Sequence, residues 1–199
     1  MVGIRILAKM METKSEKTGY KTIVCLANSR KKGGHCIVGK EIKHGLPGNW
    51  VRPVKRSGPL SDEDIAYGSG SLPAIMDIIK IPIAGHSPKD FQTENQIIRK
   101  GESWVKTGRF DAHRLRELCD DPDLLWINGY STKFGLNDSI PYNIARTSLD
   151  SSALLIRADS LTIEVLLFDK KAVRAEFIYK QQKYNLVLTD KLATGVMVV

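Results

Sequence analysis

The apolar residues of this chain come in short, β-branched runs, each closed off by glycine, proline or charge, and that punctuation limits the fold to strands and turns. Lys21–Ala27 (KTIVCLA) is too short for a helix of its own and leads directly into Asn28–Gly34 (NSRKKGG), a polar turn rich in glycine. A second run, Cys36–Val38 continuing toward Ile42, completes a predicted β-hairpin with a basic tip. His44–Asn49 (HGLPGN) reads as a loop and Trp50–Val54 (WVRPV) as a strand. Pro53 assigns that strand to a sheet edge, because its missing N–H would be costly in a central position. Ala74–Ala84 (AIMDIIKIPIA) has no helix cap ahead of it and reads as a further strand.

Asp111–Asp120 (DAHRLRELCD) places Leu115 and Leu118 at helical spacing, with Asp111 as N-cap and a stop at Asp121-Pro122, which predicts one short helix. Four closely spaced segments follow: Ser152–Ile156, Leu161–Phe168, Ala172–Tyr179 and Tyr184–Thr189. With Asp169-Lys170 and Lys180-Gln181 between them, the last three predict an antiparallel meander. Two groups of short strands around an irregular helical stretch point to a mainly β protein built as two small barrels in tandem, with a single sandwich as the alternative.

A chain of 199 residues with 42% hydrophobic content can bury a core without disulfide support. Its three cysteines, Cys25, Cys36 and Cys119, are an odd number with no CxxC pair, so reduced cytoplasm is the expected compartment. No apolar stretch reaches the roughly 18 residues of a membrane span, and Met1–Met10, interrupted by Arg5 and Lys9, is a poor signal peptide. The more informative feature is charge segregation. Met1–Leu60 holds 13 Lys and Arg against 3 acids, a balance of +10, whereas the other 139 residues sum to −2. Such a distribution attracts polyanions, although it is also compatible with a solubilising basic arm.

The candidate chemistry lies in that basic third. Ser29-Arg30-Lys31-Lys32-Gly33-Gly34 combines cations, a hydroxyl and glycines able to approach an anion, and His35 follows. It is not a phosphate loop of the GxxxxGK[ST] type. Trp50, Arg52, Lys55 and Arg56 interleave a ring with cations, the mixture that single-strand binders use to stack bases and pair phosphates. On a strand, Trp50 and Arg52 share one face; the competing reading is a core tryptophan beside an ion-paired arginine. Trp104 with Lys100, Lys106 and Arg109, and Tyr130 with Lys133, are assigned mainly to packing and solvation. Cys25, His35, Cys36 and His44 lack the paired short spacings of a zinc site, so no metal or cofactor is expected. Ser29, His35 and a distant acid such as Asp190 could in principle meet, but nothing in the spacing requires it and no GxSxG or HExxH motif accompanies them, so binding is favoured over catalysis.

The strings Cys25–Lys31 (CLANSRK), Gly34–Gly39 (GHCIVG) and Trp50–Pro53 (WVRP), together with Phe177-Ile178-Tyr179, Tyr184-Asn185-Leu186 and Thr189-Asp190, resemble the bacterial dual OB-containing domain family from about Lys21 to Asp190. The resemblance implies two OB-like barrels, recognition of nucleic acids or nucleotides, and in some cases a bacterial defence context. The expected organisation is a leader at 1–20, barrels at 21–95 and 96–190, the second with the inserted helix, and a tail at 191–199. The expected partner is nucleic acid or another phosphate-bearing ligand, with a small-ligand sensor and a protein-interaction module as alternatives.

Overall fold

The first described strand, β1 (Gly19–Lys31), is built on the apolar run Thr22–Ala27, and its length decides the architecture of everything that packs on it. It serves two neighbours, and a bulge between Cys25 and Ala27 bends it. Gly19–Val24 pairs antiparallel with β4 (Asp77–His86), and Ile23–Lys31 pairs with β2 (Gly34–Lys43). β2 pairs with β3 (Leu46–Val54), β3 runs parallel to β5 (Asn95–Ile98), and β5 pairs with β4. The circuit β1-β2-β3-β5-β4 thus returns to β1, and β6 (Val105–Arg109) adds to β4 outside it.

The computed structural model describes residues 19–31, 33–167 and 171–188. These form two units, one of 19–87 with 94–109 and one of 88–93 with 110–188. Of the leader expected at 1–20, residues 1–18 lie outside the described residues and Gly19-Tyr20 open β1; Lys32, the turn at Asp169-Lys170 and the tail also lie outside them. The chain is mainly β with two sheets and few helices, as the short-run pattern predicts. The boundary expected at 95 falls inside the first unit, because β5 and β6 hydrogen-bond into its sheet.

The strand circuit encloses Ile23, Cys25, Ile37, Val51, Ile79, Ile81, Ile83 and Ile98, capped by Leu60, Ile65, Tyr67 and Trp104. Pro53 is not on an edge: β3 lies between β2 and β5. The β2 pairs end at Val51, and Arg52 N–H donates to Glu94 O on the β5 side, 3.0 Å. By alternation the Pro53 nitrogen faces the other side, where no ladder bond is required of it. The expected loop at His44–Asn49 shrinks to His44-Gly45, both at positive φ (51° and 79°), a two-residue turn that lets Leu46–Asn49 join β3.

One short helix was expected, and the described residues hold three: α1 (Asp62–Ile65), a 3₁₀ helix (Ala112–Leu118) capped by Asp111, and α2 (Tyr142–Ser148). In the second unit the meander is β7 (Ser160–Leu167), β8 (Lys171–Tyr179) and β9 (Gln182–Val187), an open three-stranded sheet among the described residues. Lys180 and Gln181 make its tight turn at φ 45° and 67°. Ser152–Ile156 is not a strand. The β8–β9 face carries Phe177 stacked on Tyr184 at 5.3 Å, with Leu125 and Trp126 packed over them. Arg174, on the opposite face, donates to Asp138 and to Asn185 and so pins the 132–138 loop to the sheet.

Asp77 anchors the first unit where β4 begins. Its carboxylate, 1% exposed, accepts from Tyr67 Oη (2.9 Å) and Ala74 N–H (3.0 Å), and Lys106 Nζ on β6 stands 2.6 Å away. Burial disfavours the charge, but the bonds from Lys106, Ala74 and Tyr67 outweigh it and hold the group below the usual 3.8. Burial, and next the charge of Asp77, push the Cys25 thiol up to about 12, so it stays neutral. Because the folded-state value of Asp77 is depressed, its contribution is full above 3.8 and fades as pH falls through the lower folded value. Asp77→Ala strands three donors and is expected to cost about 2–4 kcal/mol in urea unfolding at pH 7. The deficit should narrow below pH 3.8; a pH-independent difference would contradict the assignment.

Candidate nucleic-acid interface

The hairpin tip is built around a close approach that only glycine permits. A Cβ on Gly34 would lie 2.4 Å from Pro59 Cβ and 2.6 Å from Leu60 O, so its absence lets residues 59–60 lie against β2. His35 N–H then donates to Leu60 O at 2.8 Å. Ser61 follows as N-cap of α1 in a capping box: its Oγ accepts from Asp64 N–H, and its own N–H donates to Asp64 Oδ2 at 2.7 Å. This sequence of contacts delivers Asp62 to the side chain of His35.

His35 is 5% exposed and held at both ring nitrogens. Asn28 donates through Nδ2 to Pro73 O (2.8 Å), which turns its Oδ1 toward His35 Nδ1 at 2.9 Å. His35 Nε2 lies 2.6 Å from Asp62 Oδ1. Arg30 Nη2 donates to both oxygens of the same carboxylate at 2.9 Å. Lys55 makes an ion pair with Asp64 at 2.8 Å beside this cluster.

Strand alternation divides the sequence-predicted residues between two faces of the hairpin. Arg30 pairs across with His35, and Asn28 with core residue Ile37, so this set lies on the core-facing side. Ser29 pairs with Cys36 on the opposite side, and Lys40, itself buried, with Trp50 on that same face. Trp50 and Arg52 are neighbours there, as their spacing predicts. Lys40 Nζ sits 5.3 Å from the centre of the half-buried Trp50 ring. Arg52 is bonded through Nε to Glu94 (3.0 Å) and through Nη1 to Cys36 Sγ (3.3 Å). Ser29 and Arg56 are exposed. Lys31 contributes its backbone opposite Gly34; its side chain and all of Lys32 lie outside the described residues.

The sequence reading missed Asn28, Lys40, Asp62, Asp64 and Glu94. Ser61-x-x-Asp64 is a legible capping-box pattern that announces α1, whereas nothing local marks Glu94 as the partner of Arg52, 42 residues away. Among the described residues the acid that meets His35 is Asp62; Asp190 lies outside them. Trp104 is buried at 1%, with Lys106 and Arg109 turned to Asp77, in keeping with a packing role. Among the described residues no three His, Cys, Asp or Glu side chains gather as a metal site, and no helix is long and apolar enough to cross a membrane.

A family model described as a dual OB-containing domain matches residues 21–197. No curated protein and no solved structure matches the chain.

The hydrogen bond from His35, and next, against some desolvation, the Arg30 charge, hold the Asp62 carboxyl below its usual 3.8. Its support for the tip is therefore full above 3.8 and lost as pH falls through the lower folded value. Carboxyl NMR titration should give Asp62 a midpoint below 3.8 that moves up toward 3.8 in His35→Phe. A midpoint unmoved by that substitution would show that His35 does not set it.

Proposed function

We propose that this chain, which belongs to the dual OB-containing domain family, binds nucleic acid, single-stranded or structured, without turning it over. OB barrels take oligonucleotides or oligosaccharides on the face of their second and third strands and on the loop between the first two. The observation that carries the reading is the row across those positions in the first unit. It runs from the β1–β2 tip through Ser29 and Cys36 to Arg52, with Trp50 and Lys40 beside it. A ring flanked by cations suits a base stacked between phosphates.

Charge selects the polymer over an uncharged sugar: the +10 balance of Met1–Leu60 includes Arg30, Lys31 and Lys32 at the tip. Arg30, Arg52 and Lys55 each share a carboxylate. These ion pairs fix the direction of each cation and lower the local attraction, so much of the affinity comes from the summed field of the basic third. Arg30 engages Asp62 through Nη2, which leaves Nε and Nη1 of an exposed guanidinium to reach a phosphate.

Fluorescence anisotropy with labelled single- and double-stranded DNA and RNA tests this. Arg30→Glu with Lys31→Glu and Lys32→Glu should weaken binding to all sequences about tenfold or more and flatten the log–log salt slope by about 2 for single strands. Trp50→Ala should cost about 1–3 kcal/mol with the salt slope retained. Absence of binding at low salt refutes the proposal. One-to-one binding of a mononucleotide without polymer binding would assign the tip to a small phosphorylated ligand instead.

A further inference from the structure

We infer that β7 (Ser160–Leu167) is a docking edge for a second copy of this chain, paired antiparallel with its own counterpart across a twofold axis at Ile163. Among the described residues β7 pairs with β8 alone. Its register puts Leu161, Ile163 and Val165 on the same face as Phe177, Ala175 and Val173. That face is covered over β8 and β9, where Phe177 is 8% and Tyr184 0% exposed beneath Leu125 and Trp126. The cover stops one strand short: Leu161 is 60% and Ile163 38% exposed.

Edge strands are ordinarily guarded by lysine, proline, a bulge or an inward charge. SLTIEVLL holds no lysine, arginine, proline or glycine, and Glu164 is its one charge. The β7–β8 register is unbroken over all eight pairs from Ser160↔Ile178 to Leu167↔Lys171. Among the described residues the strand thus presents an unpaired edge of unbroken register with an apolar flank.

The sequence of the strand fits its own copy. Centred on Ile163, antiparallel pairing sets Leu161 against Val165 and Glu164 against Thr162, so apolar residues meet and the carboxylate faces a hydroxyl. Centred one residue later, it would set Glu164 against Glu164, a like-charge pair that destabilises a sheet. An isologous pair of this kind closes on itself, joining two three-stranded sheets into one of six and using up the β7 edge of each. Nucleic acid is a poor occupant, since the strand has no cation to offer.

Sedimentation equilibrium on the full chain should give twice the monomer mass, and Ile163→Lys, at a partly exposed position, should give a monomer with unchanged circular dichroism and melting. Ile163→Cys places a thiol on the axis and should form a disulfide-linked dimer under mild oxidation beyond the wild-type background. Glu164→Cys, whose copies are offset diagonally, should not. A wild-type chain that stays monomeric at high micromolar concentration, whatever covers the edge, overturns the inference. So does a dimer that survives Ile163→Lys, or equal cross-linking at the two positions.

Discussion

The pairing of Gly19–Val24 with Ile78–Ile83 closes the strand circuit, and the rest of the first unit depends on it. Without it β1 and β4 would be the two ends of an open sheet, and the buried isoleucines they contribute, Ile23, Ile79, Ile81 and Ile83, would lose the opposite wall of their core. Each such side chain, fully buried, is worth about 1.5–3 kcal/mol. Ile23 and Val24 make the closure, pairing with β2 on one edge and with β4 on the other, and the bulge at Cys25/Ala27 bends β1 where the β4 pairs end. Asp77 then fixes β4 to β6 and to Tyr67, so the polar end of the core is satisfied as well as its apolar middle.

That closed frame is what orients the hairpin. Gly34 allows residues 59–60 to rest on β2, α1 follows, and its carboxylates take up Arg30, His35 and Lys55. Arg30 and Lys55 are therefore held in defined directions. This costs local charge and gains preorganisation, so a ligand there meets guanidinium groups already immobilised. The row from Ser29 to Trp50 is a product of the same register, since a one-residue slip of β2 on β1 would turn Ile37, 0% exposed, away from the core.

Local features were legible in the sequence. The run at Lys21–Ala27, the three-segment meander that begins at Leu161, the turn at Lys180-Gln181, the Asp111 cap and the shared face of Trp50 and Arg52 all follow from patterns a few residues long. What depended on distant partners was not. Pro53 reads as an edge residue because nothing near it reveals that β5, some 40 residues on, supplies a parallel neighbour that needs no proline N–H. The reach of the first unit to Arg109 has the same cause, since β6 belongs with β4 through hydrogen bonds no composition shift announces. In the candidate site, the residue types were readable but their pairing was not: Asp62 and Glu94 find Arg30, His35 and Arg52 only through the fold.

Hydrogen–deuterium exchange of the full chain, with and without a saturating single-stranded oligonucleotide at low salt, tests the central claim most directly. The account predicts slowed exchange confined to Asn28–Lys40 and Trp50–Arg56, where the tip and the Trp50 face of β2–β3 lie. Unchanged exchange in both segments, or protection concentrated elsewhere in the chain, would contradict it.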